Sequence, residues 1–241
     1  MLKWVKKLFD IILPPRCLLC GRVINNDNSL CEECFDSITF ITKPYCLKCG
    51  YPFSKTINID NELCIHCLDD KNKQVFRMCR SAIEYDEYSK KLILDFKFFD
   101  HIENKLLLAR WLNMAGHDIF EKGVDLIIPV PLHYTRVMKR KYNQSAILAR
   151  ELSKICNIKV EYKILTRKKM TIPQTKCSSK ERKKNVKNAF IANNIDKIKG
   201  KRIVLIDDIY TTGATLKECA RVLLRAGAKS VDALTVARVC K

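Results

Sequence analysis

The chain reads as an α/β protein: a parallel sheet with crossover helices, preceded by a small cysteine-rich unit. Three observations predict this. Eight of the thirteen cysteines fall into four CxxC pairs within the first 67 of 241 residues. From residue 80 onward, short apolar runs alternate with segments of helical periodicity, the pattern of strand–helix–strand units in a parallel sheet. The apolar run IVLI (203–206) is followed by two aspartates, a hydroxyl-rich turn and a helix. The length suffices for one α/β domain with its own core and a smaller companion. Boundaries are expected at 1–70 for the cysteine-rich part and 78–241 for the α/β domain.

The elements follow in order. MLKWVKKLFDIILPP (1–15) places Leu2, Val5, Leu8, Phe9 and Ile12 on one face of a short amphipathic helix, expected to dock on its own domain rather than on a membrane. It is too short and too charged for a cleaved signal peptide, and no apolar run approaches the ~20 residues of a membrane span. The protein is therefore expected to be cytoplasmic, with its thiols reduced. The pairs Cys17/Cys20, Cys31/Cys34, Cys46/Cys49 and Cys64/Cys67 have the spacing that lets two thiolates approach one tetrahedral metal from one side. Two pairs complete a Cys₄ shell, so the ligands suffice for two structural zinc ions with no open catalytic position. The repeated CLLCG and CLKCG read as one ribbon unit used twice, separated from their partner pairs by ten and fourteen residues. Sequential pairing is the simpler arrangement, although spacing leaves a cross-braced one open. A redox role fits poorly, because a thioredoxin-like CxxC stands alone beside a βαβ pattern. His66 reads as a surface residue, and Cys79, Cys156, Cys177, Cys219 and Cys240 as isolated thiols.

After a polar connection (68–78), RSAIEYDE (80–87) reads as a strand, and 89–116 as two helices broken near Asp100 and His101, with Trp111 in the core. VDLIIPVPL (124–132) reads as a buried strand, NQSAILARELSKIC (143–156) as a helix capped by Asn143 or Ser145, and KVEYKILTR (159–167) as a strand. A long polar segment runs through Lys199. Then come a strand at 203–206, a helix from about Thr215 to Ala226 stopped by Gly227, and a last strand at 230–238.

Charge is uneven. The whole chain carries a formal +19, while residues 1–70 hold eight Lys and Arg against nine Asp and Glu. Residues 136–187 hold seventeen basic against three acidic residues, a strong field for a polyanion. The loop YTTGAT lies between a strand's carboxyl end and a helix N-terminus, where α/β sheets bind ligands and free amides favour phosphate. Thr211, Thr212 and Thr215 add hydroxyls, and Gly213 permits close backbone approach. Phosphate alone needs no acids. Asp207 and Asp208 ahead of the cradle suit a sugar phosphate, facing ribose hydroxyls or a Mg²⁺ shell. Helix-capping threonines and strand-end acids are the bland alternative, but a cap needs one such residue rather than a cluster. Neither GxxxxGK[ST] nor GxGxxG is present, which argues against nucleoside triphosphatase and dinucleotide chemistry.

IVLIDDIYTTGAT resembles the signature loop of the phosphoribosyltransferase superfamily, which binds 5-phosphoribosyl 1-pyrophosphate (PRPP) with magnesium. Together with LPPRCLLCG, PVPLHYTRVMKRKYNQSAILA and PQTKCSSKERKKNVKNAF, it resembles the ComF (ComFC) family over residues 13–240: double zinc ribbon, phosphoribosyltransferase-like proteins associated with competence for DNA uptake. The resemblance implies that Asp207 and Asp208 bind the ribose 2′ and 3′ hydroxyls, as the catalytic pair if turnover occurs. It implies that Thr211, Thr212, Gly213, Ala214 and Thr215 hold the 5′-phosphate, with Tyr210 among the PRPP-binding residues. Arg136 and Arg140 would face the diphosphate. The family reads RGFNQS where this chain has RKYNQS, so either the backbone tolerates a side chain there or Lys141 itself reaches the anion. Gln174, Thr175, Arg182 and Asn185 match the family's pattern in the basic segment 174–190, which would serve as a mobile hood, a DNA-contacting surface or both.

Three functions follow from the resemblance. One is a PRPP-binding protein of natural transformation whose basic surface takes single-stranded DNA and which meets DNA-processing proteins. The others are an active phosphoribosyltransferase on an unidentified acceptor and a PRPP-sensing adaptor without nucleic acid.

Overall fold

A computed structural model of the chain describes residues 14–54, 62–68, 75–98, 103–132, 142–168 and 186–240. The expected N-terminal helix and the 99–102 break lie outside these. The main sheet has four strands, β1 (Cys79–Glu84), β2 (Leu126–Pro129), β5 (Arg202–Tyr210) and β6 (Ser230–Arg238), in the order β1-β6-β5-β2 and parallel at every pairing. Two further strands, β3 (Leu165–Arg167) and β4 (Phe190–Ala192), form a separate antiparallel pair. The helices are α1 (Glu32–Asp36), α2 (Ile65–Leu68), α3 (Glu87–Phe98), α4 (Asn104–Ala115), α5 (His117–Glu121), α6 (Gln144–Cys156) and α7 (Ala214–Arg225).

Strand periodicity explains the layers. Alternate residues of a strand face opposite sides of the sheet, and both sides are buried here. Ile127, Val204, Ile206 and Leu234 join a core with Leu92 and Phe96 of α3, Leu108, Trp111 and Leu112 of α4, and Leu148 and Leu152 of α6. Their neighbours Ile128, Ile203, Leu205 and Ala233 join a second core with Leu216, Cys219 and Leu223 of α7 and with Ile164, Leu165 and Phe190. Each such fully buried aliphatic side chain contributes about 1.5–3 kcal/mol.

Local chemistry sets the helix starts. Asp86 accepts from the Ser89 amide at 2.8 Å while Ser89 Oγ accepts from the Asp86 amide at 2.8 Å, a reciprocal cap on α3. Asn143 caps α6, accepting from the Ser145 amide at 3.1 Å. Asn157 ends α6 in the left-handed region.

Two sequence expectations need correction. The strand expected at 159–167 is divided. Val160 makes a single parallel bridge to Ile127 beside β2, the chain bends at 162–164, and Leu165–Arg167 pairs with β4. The bend carries Ile164 and Leu165 into the α7-side core, which one straight strand along β2 would not reach. The strand expected at 203–206 extends through both aspartates to Tyr210, with Asp207 opposite Thr235 and Tyr210 opposite Arg238. The partner β6 is itself nine residues long, so the ladder continues past the apolar run.

The cysteine-rich part attaches to the β1 edge. The Ile41 amide donates to the Ala82 carbonyl at 3.0 Å and the Glu84 amide to the Thr39 carbonyl at 2.9 Å, covering an edge that would otherwise expose unpaired backbone groups. Phe40 packs edge-on against Trp111 at 5.1 Å, which places Trp111 in the core as expected. No helix among the described residues is long and apolar enough to cross a membrane.

Candidate functional site

The cysteines assemble into two groups, Cys17, Cys20, Cys31, Cys34 and Cys46, Cys49, Cys64, Cys67, each with all ligand atoms within 4.8 Å of one another. The pairing is sequential. In a tetrahedron of ~2.3 Å metal–sulfur bonds the sulfurs stand ~3.8 Å apart. The Cys20–Cys31 and Cys49–Cys64 sulfurs lie 3.7 and 3.5 Å apart, so the donors fit zinc. The turns aim amides at sulfur as a thiolate requires: the Cys31 amide points at Cys17 Sγ and the Cys64 amide at Cys46 Sγ, both at 3.3 Å. Without a cation the crowded thiols cannot all ionise. Thiol donors on Cys49 and Cys67 hold Cys46 far below the ordinary thiol range, and the Cys46 sulfur in turn pushes Cys49 far above it. The second group's buried cluster consists of three of its own ligands, packed by Tyr51, Phe53 and Cys67. Such a unit has too little apolar surface to fold on its own, and metal binding supplies its folding energy. Elemental analysis of purified protein is expected to give two zinc ions per chain, and a chelator to unfold this part before the sheet.

Away from the tetrads, Cys79 and Cys219 are fully buried. Burial pushes the Cys79 thiol up to about 12 and Cys219 well above its ordinary value, so both stay protonated. His66 is exposed, as expected.

The second site lies at the carboxyl end of β5. Asp207, Ile209, Thr211, Gly213, Ala214, Thr215 and Leu216 line one shallow pocket there. Gly213 sits at φ 69° and initiates α7 without a side-chain cap. Thr212 Oγ1 accepts from the Ala214 amide at 3.4 Å. The first amides of a helix have no partner within it, and the dipole adds positive potential at the same end. Asp207, two threonines and the first residues of α7 thus border one small volume.

Asp207 is held from a second element. Ser145 Oγ donates to Asp207 Oδ1 at 3.0 Å, and the Asp208 amide donates to the same oxygen at 3.0 Å. Asn143 sets this contact: its Nδ2 donates to the Val130 carbonyl at 3.1 Å, tying the start of α6 to the end of β2. From sequence, Asn143 and Ser145 read only as caps. A serine buried on the first turn of an amphipathic helix was the available signal, but the fold alone brings it to Asp207.

Tyr210 lies deeper than a ligand-facing residue. It is 4% exposed, its ring packs on the Arg238 guanidinium at 4.2 Å and edge-on against Phe76, and its hydroxyl lies beneath Gly213. Its side chain supports the loop from below. Arg136, Arg140, Lys141, Gln174, Thr175, Arg182 and Asn185 lie outside the described residues, as does Cys177.

Residues 8–68 match the double zinc ribbon domain family, and residues 142–239 match the phosphoribosyl transferase domain family. The chain is 33% identical over 229 residues to Competence protein F of Haemophilus influenzae, covering 92% of this chain and 96% of that protein. It is 28% identical to the DNA utilization protein YhgH of Escherichia coli K12, covering 92% and 89% respectively. With Competence protein ComFC of Bacillus subtilis it shares 26% identity, covering 92% and 94%.

Proposed function

The chain belongs to the ComF family, a double zinc ribbon followed by a parallel-sheet α/β domain of the type I phosphoribosyltransferase fold, and from that premise we propose that it binds PRPP with Mg²⁺ and serves the handling of DNA during uptake or utilization. The observation that carries this reading is that Asp207, Thr211, Thr215 and the start of α7 border one small pocket around Gly213 at the end of β5. In this reading Thr211–Thr215 cradle the 5′-phosphate through backbone amides and hydroxyls. Asp207 and Asp208 accept from the ribose 2′ and 3′ hydroxyls, with Ser145 fixing the orientation of Asp207. Mg²⁺, when bound, neutralises the diphosphate. Arg136, Arg140 and Lys141 are assigned to the same anion.

The DNA role draws on the relatives' names, Competence protein F, DNA utilization protein and Competence protein ComFC, and on the seventeen basic against three acidic residues between 136 and 187. Single-stranded DNA on that surface would bind with strong salt dependence.

Thermal denaturation of the full chain tests the ligand. At about a hundred times Kd, PRPP–Mg²⁺ stabilises by about 2.7 kcal/mol, a rise of about 5–10 °C in Tm. No rise with PRPP–Mg²⁺ on zinc-replete protein contradicts the reading. For the DNA role, a single-stranded oligonucleotide is expected to bind at low salt and to be released as salt rises; absence of binding at low salt removes it.

A further inference from the structure

β6 ends on an arginine that the ligand chemistry above does not use. Arg238 is 5% exposed, and its Nη1 donates to the Cys49 carbonyl at 2.6 Å while Nη2 reaches Cys49 Sγ at 3.5 Å. The same guanidinium lies 4.2 Å from the Tyr210 ring centroid and 5.4 Å from that of Tyr51. Tyr210 and Arg238 face each other across the β5–β6 ladder, and the Val239 amide donates to the Tyr210 carbonyl at 2.9 Å. From Tyr210 the contact passes directly to the loop, because a Cβ on Gly213 would lie 2.4 Å from the Tyr210 hydroxyl. An unbroken series of packed groups therefore joins a ligand of the second tetrad to the glycine at the centre of the phosphate cradle.

The junction is tight on the ribbon side as well. The Cys79 amide donates to the Lys48 carbonyl at 2.8 Å, and a Cβ on Gly50 would lie 2.5 Å from the Cys79 carbonyl oxygen. The first tetrad packs elsewhere: Cys17, Leu19 and Cys31 join the core formed by α3 and α4, and Lys91 Nζ donates to the Leu19 carbonyl at 2.9 Å. The electrostatics agree. Four thiolates around a divalent cation leave a net charge of about −2, which a buried guanidinium offsets while finding there the partner its own burial demands. Groups that donate to metal ligands fix those ligands and tune affinity for the metal.

We propose that Arg238 is a positioning residue that couples the second cysteine tetrad to the Thr211–Thr215 loop, so that the loop keeps its ligand-binding shape only while that tetrad holds its metal. The functional consequence rests on the PRPP reading above; the coupling itself does not. With the metal gone, the Cys46–Gly50 turn loses its anchor, the Arg238 fork loses its acceptors, and Tyr210 is no longer clamped beneath Gly213.

The experiment compares the full chain with Arg238→Met, Arg238→Lys, Cys67→Ser, the Arg238→Met/Cys67→Ser pair and Cys34→Ser. Cys67 is a ligand of the second tetrad and Cys34 of the first. Hydrogen exchange of the 211–216 amides and PRPP–Mg²⁺ affinity are the readouts. Arg238→Met and Cys67→Ser are each expected to speed loop exchange and weaken PRPP by about tenfold. The pair should do no more than either alone, as members of one coupled unit. Cys34→Ser should leave loop exchange unchanged, and Arg238→Lys, which keeps charge without the fork, should restore part of the protection. In Arg238→Met loaded with cobalt, the thiolate-to-metal absorption band of the second site should shift while that of the first does not.

Unchanged loop exchange in Cys67→Ser or in a folded Arg238→Met, or additive effects in the pair, overturns the coupling; unaltered PRPP affinity beside faster loop exchange removes only its functional consequence. If Arg238→Met does not fold, Cys67→Ser in the wild-type background still decides it. Loop exchange that follows the second tetrad in a protein that never binds PRPP upholds the coupling and removes the PRPP reading. PRPP binding by wild type with an indifferent loop does the reverse.

Discussion

Replacing Asp207 and Asp208 together by asparagine is expected to abolish magnesium-dependent PRPP binding while leaving the fold intact. Asparagine keeps the shape of both side chains, and its carbonyl can still accept from Ser145 Oγ where Asp207 now does at 3.0 Å. What disappears is the charge and, where the amide nitrogen replaces the ligand-facing oxygen, the acceptor itself. A hydrogen bond to a charged acceptor contributes about 1.5–3 kcal/mol, so losing two costs about 3–6 kcal/mol, or about 10²–10⁴ in affinity. Ser145→Ala, which removes one restraint on Asp207 and no ligand contact, is expected to weaken binding by only about 3–10-fold. Calorimetric titration reads both effects, and circular dichroism checks that the sheet survives. A double variant that binds PRPP as wild type does would remove the carboxylates from the site.

Gly213→Ala is the second large effect, and it acts through backbone and packing together. At φ 69° a side chain is strained whatever space is available, and here the space is filled: the new Cβ would lie 2.4 Å from the Tyr210 hydroxyl and 2.6 Å from its ring. Tyr210 is backed by Arg238 and Phe76 and has nowhere to retreat. Strain of about 1–3 kcal/mol is expected, visible as a lower midpoint in urea, along with loss of PRPP binding because the cradle must open to admit the methyl group. Thr211→Ser, which keeps the hydroxyl, is the control and should bind nearly as wild type. A Gly213→Ala chain with unchanged stability would show that the loop is softer than its packing implies.

The ribbons and the strand–turn–helix at the end of β5 were legible in the sequence because their chemistry is local. A CxxC spacing dictates a metal turn by itself, and an apolar run followed by acids, small hydroxyl residues and glycine dictates a strand, a tight turn and a helix start. The parallel sheet was legible for the same reason, since strand and helix periods alternate in order along the chain. What failed depended on tertiary context. The 159–167 run looks continuous, yet Val160 sits beside β2 and Leu165 belongs to a different sheet, because Ile164 and Leu165 are needed in the α7-side core. β5 outruns its apolar residues because β6 beside it continues, so Asp207 and Asp208 stand within a strand rather than after it.

The contacts of Ser145 with Asp207 and of Arg238 with Cys49 were illegible for a related reason. Each acts on a partner more than sixty residues away, at separations of 62 from Asp207 and 189 from Cys49. Nothing about a serine on a first helical turn or an arginine at a strand end announces such a partner. Tyr210 shows the converse. Its place in the motif suggests a ligand contact, while its burial makes it the floor beneath the loop.

In the proposed reading the loop at the end of β5 binds a magnesium-complexed sugar phosphate. The most direct measurement is calorimetric titration of PRPP into the zinc-replete wild-type chain, with magnesium and then with magnesium chelated, alongside ribose 5-phosphate and pyrophosphate. Saturable binding of one PRPP per chain that requires magnesium, with ribose 5-phosphate weaker and pyrophosphate weaker still, is the predicted result. Absence of PRPP binding in protein that retains both zinc ions would contradict it, leaving the ribbons and the basic surface to carry the function.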